Sequence, residues 1–243
     1  MSRLPRPKVV SFDLDETLLD NSTIREVVRL TCEAAASLAG LELDAVTAAN
    51  AEVFPAYFRE AEAKLASGSL TGAQMLADVW SAVLEICGCQ RMELVTEIVA
   101  EQTRLGAASA RLFADVIPTL EVLRREGYLM ALVTNGASDI QRESLDRVGL
   151  ADGFDFVAIS GEVGAVKPDA RIFEAVLGGL GVDAAEVWHV GDNLHTDIGG
   201  AFNSDLTGVW INRRGLTRTE ADPQPAAEIN SIDELVSLLR LSG

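Results

Sequence analysis

The sequence predicts an α/β fold: a parallel-sheet core with an inserted all-helical cap domain. Three observations predict it. From Asp115 onward, short apolar runs alternate with amphipathic stretches of helical period, and strands alternating with helices imply a parallel sheet with right-handed crossovers. A further strand-like run, Val9 to Phe12, stands far upstream and has no other sheet to join. Between the two, from about Asn21 to Gly106, the chain is rich in Ala, Glu, Leu and Val and carries no strand signal. The core is therefore expected at residues 1–20 and 107–243, and the helical cap at residues 21–106.

Each element has its own signal. Val9 to Phe12 is short, apolar and β-branched, as a buried strand should be. Asn21 or Ser22 can cap a helix through about Leu38, which Gly40 ends. Asp44 to Leu65 repeats apolar residues at helical spacing, with Pro55 as an expected kink or boundary. Ser67-Gly68-Ser69 reads as a turn. Thr71 to Ile86 and Met92 to Leu105 read as two more helices. In the core, Val116 to Glu126 is an amphipathic helix ended by Gly127. Tyr128 to Val133 is a strand, Ser138 to Val148 a helix and Phe156 to Ser160 a strand. Asp169 to Leu180 is a helix stopped by Gly181, Glu186 to Val190 a strand, His195 to Phe202 a helix and Leu206 to Ile211 a strand. Arg213 to Glu228, with Pro223 and Pro225, reads as a surface loop. Ser231 to Leu241 closes the chain as a helix, with Ser231 as N-cap and Glu234 completing a capping box.

Length and composition narrow the function. The 243 residues, 48% hydrophobic, hold ample core for one large domain or two small ones. The net charge of −17, from 37 acids against 20 bases, argues against a nucleic-acid partner, which needs a basic footprint, and against an anionic membrane surface. A small anionic substrate stays possible where a bound cation and a local Lys offset the field. The three cysteines, Cys32, Cys87 and Cys89, are odd in number and too few for a disulfide framework, which points to a reducing compartment. Cys87-Gly88-Cys89 is read as ordinary small apolar residues of a helical region. Met1 to Lys8 is basic but no apolar stretch follows it, so no signal peptide is expected. No apolar run is long enough to span a membrane, and a cytoplasmic location is expected.

The chemistry sits where strands stop. Val9-Val10-Ser11-Phe12 runs into Asp13-Leu14-Asp15-Glu16-Thr17. Buried charges must be paired or bound to a metal. Asp13 and Asp15 share a face in extended backbone. Such a pair can hold a hard cation, or one acid can act as nucleophile while the other moves a proton; an acidic turn that caps the next helix is the alternative for the stretch alone. The second strand end, Thr134-Asn135-Gly136, offers a hydroxyl and backbone N–H groups for an anion, or simply a helix start. In the third, Lys167 precedes Pro168, which fits a first helical turn and holds Lys167 extended. In the fourth, Val190 runs into Gly191-Asp192, with Asp197 one turn on. Asp192 can complete an oxygen cage with Asp13 and Asp15, and Asp197 can support it or pair with Lys167. His195 is left out, since a hard-cation site does not need it.

This ordered set, Phe-Asp-Leu-Asp-Glu-Thr-Leu, Val-Thr-Asn-Gly, Val-Lys-Pro-Asp and Gly-Asp, resembles the haloacid dehalogenase-like (HAD) hydrolase superfamily, phosphatase branch. The resemblance covers the whole Rossmann-like core, and the insertion directly after the first motif looks like the family's α-helical cap. It implies a phosphomonoesterase that uses Mg²⁺ and an aspartyl-phosphate intermediate on a small phosphorylated metabolite of the phosphoglycolate, sugar phosphate or nucleoside monophosphate type. The implied roles are Asp13 as nucleophile, Asp15 as acid and then base, and Lys167 as charge neutraliser. Thr134 and the amides near Asn135 and Gly136 bind the phosphoryl group. The metal is held by the carboxylates of Asp13 and Asp192 and the carbonyl of Asp15, with Asp197 in support. An acid at Asp15 favours ester cleavage over dehalogenation, since a halide leaves without a proton and an alkoxide does not. Glu16 departs from the Gly that many relatives carry. A phosphotransferase such as a sugar phosphate mutase, and a non-catalytic phosphometabolite-binding protein, are the alternatives, and a monomer or homodimer is expected.

Overall fold

The computed structural model describes residues 4–242; the ends of the expected core, residues 1–3 and 243, and with them part of the basic N-terminal stretch, lie outside the described residues. The sheet is six-stranded and wholly parallel. Its strands are β1 (Val9–Phe12), β2 (Leu129–Thr134), β3 (Phe156–Ile159), β4 (Val187–Gly191), β5 (Thr207–Ile211) and β6 (Ala227–Ile229), in the order β3-β2-β1-β4-β5-β6. The first strand in sequence is thus central, paired in register with β2 (Val9 beside Leu129) and β4 (Val9 beside Val187). All four β1 residues are buried, because both faces of the sheet are covered. Val10 and Phe12 join Met130, Leu132, Trp188 and Val190 on one face. Val9 joins Ala131, Val133 and Val187 on the other.

The region between β1 and β2 holds α1 (Ile24–Ala39), α2 (Leu43–Ala66), α3 (Gly72–Ile86) and α4 (Leu94–Ser109), followed by α5 (Val116–Arg125) of the sheet layer. The first four helices bury their own apolar cluster around Val79, Trp80, Val83 and Ile98, and the Trp80 indole donates to Gln102 Oε1 at 2.6 Å. Gly40 ends α1 in the left-handed region, φ 67°, and the Thr71 hydroxyl caps α3 by accepting from Gln74 N–H. The remaining helices are α6 (Ser138–Arg147), α7 (Ser160–Val163), α8 (Ala170–Leu180), α9 (Gly199–Asn203) and α10 (Glu234–Leu241). No described helix is long and apolar enough to cross a membrane.

Several boundaries differ from the sequence expectation. Pro55 neither breaks nor bounds α2, which runs straight through it; a proline removes one ladder bond, and the long helix tolerates that loss. Helix α4 continues past Gly106 to Ser109, since a glycine without positive φ need not stop a helix. Leu194–Ile198 forms a π-helical turn ahead of α9 where one regular helix was expected. The expected surface loop after Arg213 returns as the short edge strand β6, paired with β5. Ser231 does not cap α10, which begins at Glu234; Ile232 N–H donates instead to the Asp115 carboxylate at 2.7 Å. The two crossings into the helical region run side by side. Leu19 bridges Leu112, Asp20 N–H donates to Arg111 O, and Phe113 N–H donates to Leu18 O.

Asp115 is the brace between these parts. Besides Ile232 N–H, its carboxylate accepts from both Arg213 terminal nitrogens at 3.0 and 3.1 Å. Arg213 also donates to the Thr17 carbonyl and lies 3.8 Å from the Phe113 ring centroid. The pair is largely buried, so removing one partner strands the other charge. We expect Asp115→Ala to lower unfolding stability by about 3 kcal/mol, read as a fall in the urea midpoint at unchanged slope; an unchanged midpoint would refute the brace.

Candidate active site

In open α/β sheets, side chains converge beyond the carboxyl ends of the strands, at the point where strand order reverses. Here that point is β1, with β2 on one side and β4 on the other. Asp13 follows β1 directly and its N–H donates to Val190 O. Lys167 arrives from the turn between α7 and α8. Its Nζ donates to Asp13 Oδ1 at 2.5 Å and to Asp197 Oδ1 at 2.7 Å. All three side chains are nearly inaccessible to solvent. Asp197 is fixed further by Asn193 N–H on Oδ2 at 2.9 Å and by His189 Nε2 at 3.3 Å. A Cβ at Gly191 would run into the Asp197 carboxyl group, so the strand can pass this close only as glycine.

The turn that carries Lys167 is set differently from the sequence expectation. Pro168 is not the first residue of a helix. Asp169 caps α8 by accepting from Arg171 N–H, and the Lys167–Pro168 bond is cis. The Asn135 side chain clamps this turn from β2. Its Oδ1 accepts from Lys167 N–H at 2.8 Å and its Nδ2 donates to Lys167 O at 3.1 Å. Asn135 therefore aims Lys167 with its side chain. Gly136 N–H donates to Ser160 Oγ at 2.9 Å, so this amide of the expected anion loop is already engaged within the protein.

Charge is the defining property of the site. Asp13, Asp192 and Asp197 each offer an oxygen, and these lie within 4.8 Å of one another. Three carboxylates face one ammonium, which leaves two negative charges uncompensated if all are ionised. Burial, and then the neighbouring Asp197 and Asp15, push Asp13 up to about 8 against the pull of Lys167. Burial and Asp197 likewise push Asp192 up to about 6. Burial opposes the charge on Lys167, but Asp13 and Asp197 outweigh it and raise its pKa. Burial also works against the Asp197 carboxylate, yet Lys167 and His189 hold it well below the usual range. Such an excess of buried carboxylate oxygen fits a hard divalent cation. The Asp192 carbonyl is anchored by the Trp210 indole N–H at 2.8 Å.

The structure does not bring the Asp15 carboxylate into this cluster. Asp15 turns away, with Oδ1 accepting from Asn21 Nδ2 at 2.8 Å and Oδ2 from Gln141 Nε2 at 3.0 Å. The carboxylate oxygens that lie together are those of Asp13, Asp192 and Asp197, and the Asp15 carboxylate does not join Asp13 and Asp192 in the expected oxygen cage. Gln141 Nε2 also donates to Thr134 Oγ1 at 2.6 Å. Glu16 has φ 61°, the left-handed region that favours glycine, and its carboxylate pairs with Arg214 at 2.6 Å.

Sequence reasoning missed His189 and Gln141. His189 lies fully buried inside β4, edge-on to Phe173, with Nδ1 3.0 Å from Ser11 Oγ. Burial lowers its pKa, and the neutral ring donates from Nε2 to Asp197 while Nδ1 accepts from Ser11. The signal available was a histidine at an inward position of an apolar strand. For Gln141 the signal was a polar residue one turn before Leu145 on the inward face of α6. His195 donates its backbone N–H to the Asn193 side chain, and its own side chain is exposed.

Comparison with known proteins gives a consistent picture. Residues 7–205 match the family described as haloacid dehalogenase-like hydrolase. A phosphoserine phosphatase of Thermus thermophilus is 34% identical over 254 residues, spanning 94% of this chain and 97% of that protein. A HAD phosphatase from Thermococcus onnurineus superposes with a TM-score of 0.69 at 27% identity, over 97% of this chain and 99% of that one. A 2-haloacid dehalogenase from Pseudomonas syringae superposes with a TM-score of 0.70 at 26% identity, over 96% and 98% of the two chains.

The Lys167 clamp yields a direct test. Lys167→Met keeps the length of the side chain but leaves Asp13 and Asp197 buried without their cation. Measured in EDTA, it should cost about 3–5 kcal/mol of unfolding stability. A urea midpoint equal to that of the unaltered protein would mean the two carboxylates do not depend on Lys167.

Proposed function

The chain belongs to the haloacid dehalogenase-like hydrolases, and from that membership we propose that it is a Mg²⁺-dependent phosphomonoesterase acting on a small phosphorylated metabolite. The observation that carries the reading is the pairing of Asp13, gripped by a buried Lys167, with a second acid, Asp15, held apart from the carboxylate cluster by Asn21 and Gln141. Cleaving a phosphate ester needs a nucleophile and a separate proton donor for the leaving alkoxide, whereas a halide needs no proton. The fold is common to a phosphatase and a dehalogenase, and Asp15 favours the former.

In the proposed reaction an Asp13 carboxylate oxygen attacks phosphorus. The bond from phosphorus to the ester oxygen breaks, and Asp15 gives its proton to that oxygen as the alcohol leaves. Asp15, now a carboxylate, takes a proton from water, whose oxygen attacks the phosphorus of the aspartyl-phosphate. Asp13 is released with inorganic phosphate. Two anions must meet in the first step, and Lys167 offsets their repulsion while Thr134 donates to a phosphoryl oxygen. The carboxylates of Asp13 and Asp192 and the carbonyl of Asp15 would hold Mg²⁺, with Asp197 steadying the set through Lys167. Bound there, the ion would neutralise charge on the phosphoryl oxygens.

We assign the helices between β1 and β2 as the cap that covers this site and reads the leaving group, since a closed site excludes water. In support, the core residue Asp139 reaches across to them. Its two carboxylate oxygens accept from Gly72 and Ala73 N–H, at 2.9 and 3.0 Å, at the start of α3. Gly68 lies so close to the Gly161 carbonyl that a Cβ would not fit.

Two outcomes follow. A panel of phosphorylated metabolites should give phosphate release with Mg²⁺ and none in EDTA, and Asp13→Asn should lose at least about a thousandfold in kcat; undiminished turnover by that variant would remove the covalent mechanism. Isomerisation without net phosphate release would instead indicate a mutase. Asp139→Ala deletes an anchor worth about 1 kcal/mol, so KM should rise about fivefold with kcat little changed; an unaltered KM would mean the contact does not stabilise closure.

A further inference from the structure

We infer that Gln141 is a positioning residue that sets the hydrogen-bond polarity of both Thr134 and Asp15; the inference rests on the phosphomonoesterase reading above. Gln141 is 4% exposed. A glutamine costs free energy to bury unless its amide is satisfied. Its Nε2 lies 2.6 Å from Thr134 Oγ1, 3.0 Å from Asp15 Oδ2 and 3.4 Å from the Asn135 carbonyl. A carboxylate and a carbonyl only accept. Turned over, the amide would set its own oxygen against both. The NH₂ group therefore faces the site.

Two consequences follow from that orientation. Because Thr134 Oγ1 accepts from Gln141, its single hydrogen is free to donate elsewhere, and the group it must serve is the phosphoryl oxygen. Without Gln141 the hydroxyl rotor has no fixed sense. Asp15 is held at both oxygens, Oδ2 by Gln141 and Oδ1 by Asn21. The plane of the carboxyl group is fixed, and so is the direction in which it can deliver a proton. Gln141 packs against Gly136 so closely that a Cβ there would stand 2.9 Å from its Cγ and Cδ. A larger residue at 136 would therefore push into the amide. Misplacing a proton donor slightly is costly in rate even where binding is intact.

The test compares two esters of similar shape, phenyl phosphate and 4-nitrophenyl phosphate. Phenol holds its proton about as tightly as tyrosine, near 10, so phenolate leaves poorly without an acid; nitrophenolate leaves readily without one. Gln141→Met removes the donor, and Gln141→Glu keeps the shape while exchanging donor for acceptor. Both are assayed for kcat/KM with Mg²⁺, alongside urea midpoints, so that one folded variant suffices. We expect kcat/KM to fall about a hundredfold on phenyl phosphate, the low end of what general acid catalysis supplies, and about tenfold or less on 4-nitrophenyl phosphate. A purely structural residue would lower both by one factor. Equal losses on the two esters, or losses within twofold on both, overturn the inference while leaving the phosphomonoesterase reading intact. Failure of the unaltered protein to release phosphate from either ester, and from every member of the metabolite panel, overturns the reading and the inference together.

Discussion

The site depends on one interaction, the Lys167 ammonium held between two carboxylates that water does not reach. Burying a carboxylate costs several kcal/mol, and this site buries Asp13 and Asp197 side by side with Asp192 near them. The surrounding structure is arranged around that cost. Asn135 grips both backbone groups of Lys167, so the ammonium cannot retreat. Gly191 carries no side chain, so Asp197 can lie against β4. His189 sits neutral within the sheet with one nitrogen toward Asp197 and the other toward Ser11. Each removes a freedom that would let the charges separate. What stays unbalanced is negative, and such an excess of carboxylate oxygen fits a hard divalent cation.

Much of this was legible in the sequence because apolar strands that end in Asp, Thr or Lys contradict core building. The strands themselves announced the parallel sheet. What was not legible depends on distance. Asp13 and Asp15 would share a face in an extended chain, yet β1 ends at Phe12, and the Asp15 carboxylate bonds to Asn21 and Gln141. No local pattern tells a strand reader where that turn begins. Gln141 and His189 are single polar residues on otherwise ordinary faces, and only the neighbours across the sheet give them meaning. Strand β6 is three residues long, too short for alternation to register among prolines.

Glu16 reconciles a departure noted at the sequence level. Its left-handed backbone is one that glycine adopts freely: the turn after Asp15 has positive φ, which costs a side-chain-bearing residue about 1–3 kcal/mol. Here Arg214 meets the Glu16 carboxylate, and the position gains an ion pair at the rim near Asp192 that glycine could not make. The departure concerns the turn and its rim, and leaves Asp13 and Asp15 on the same backbone path.

The central place of β1 bears on how the chain assembles. Phe12 must meet Leu132 and Val190, so the first strand to leave the ribosome waits for more than a hundred further residues before it has a neighbour. The helices in between have their own apolar cluster, and their two ends are tied by Leu19 and Leu112. Once they have formed, the loop to be closed shrinks roughly fourfold, which recovers about 1 kcal/mol of closure entropy. With its ends tied at Leu19 and Leu112, the folded insertion shortens the path between β1 and β2 as a clasp shortens a strap.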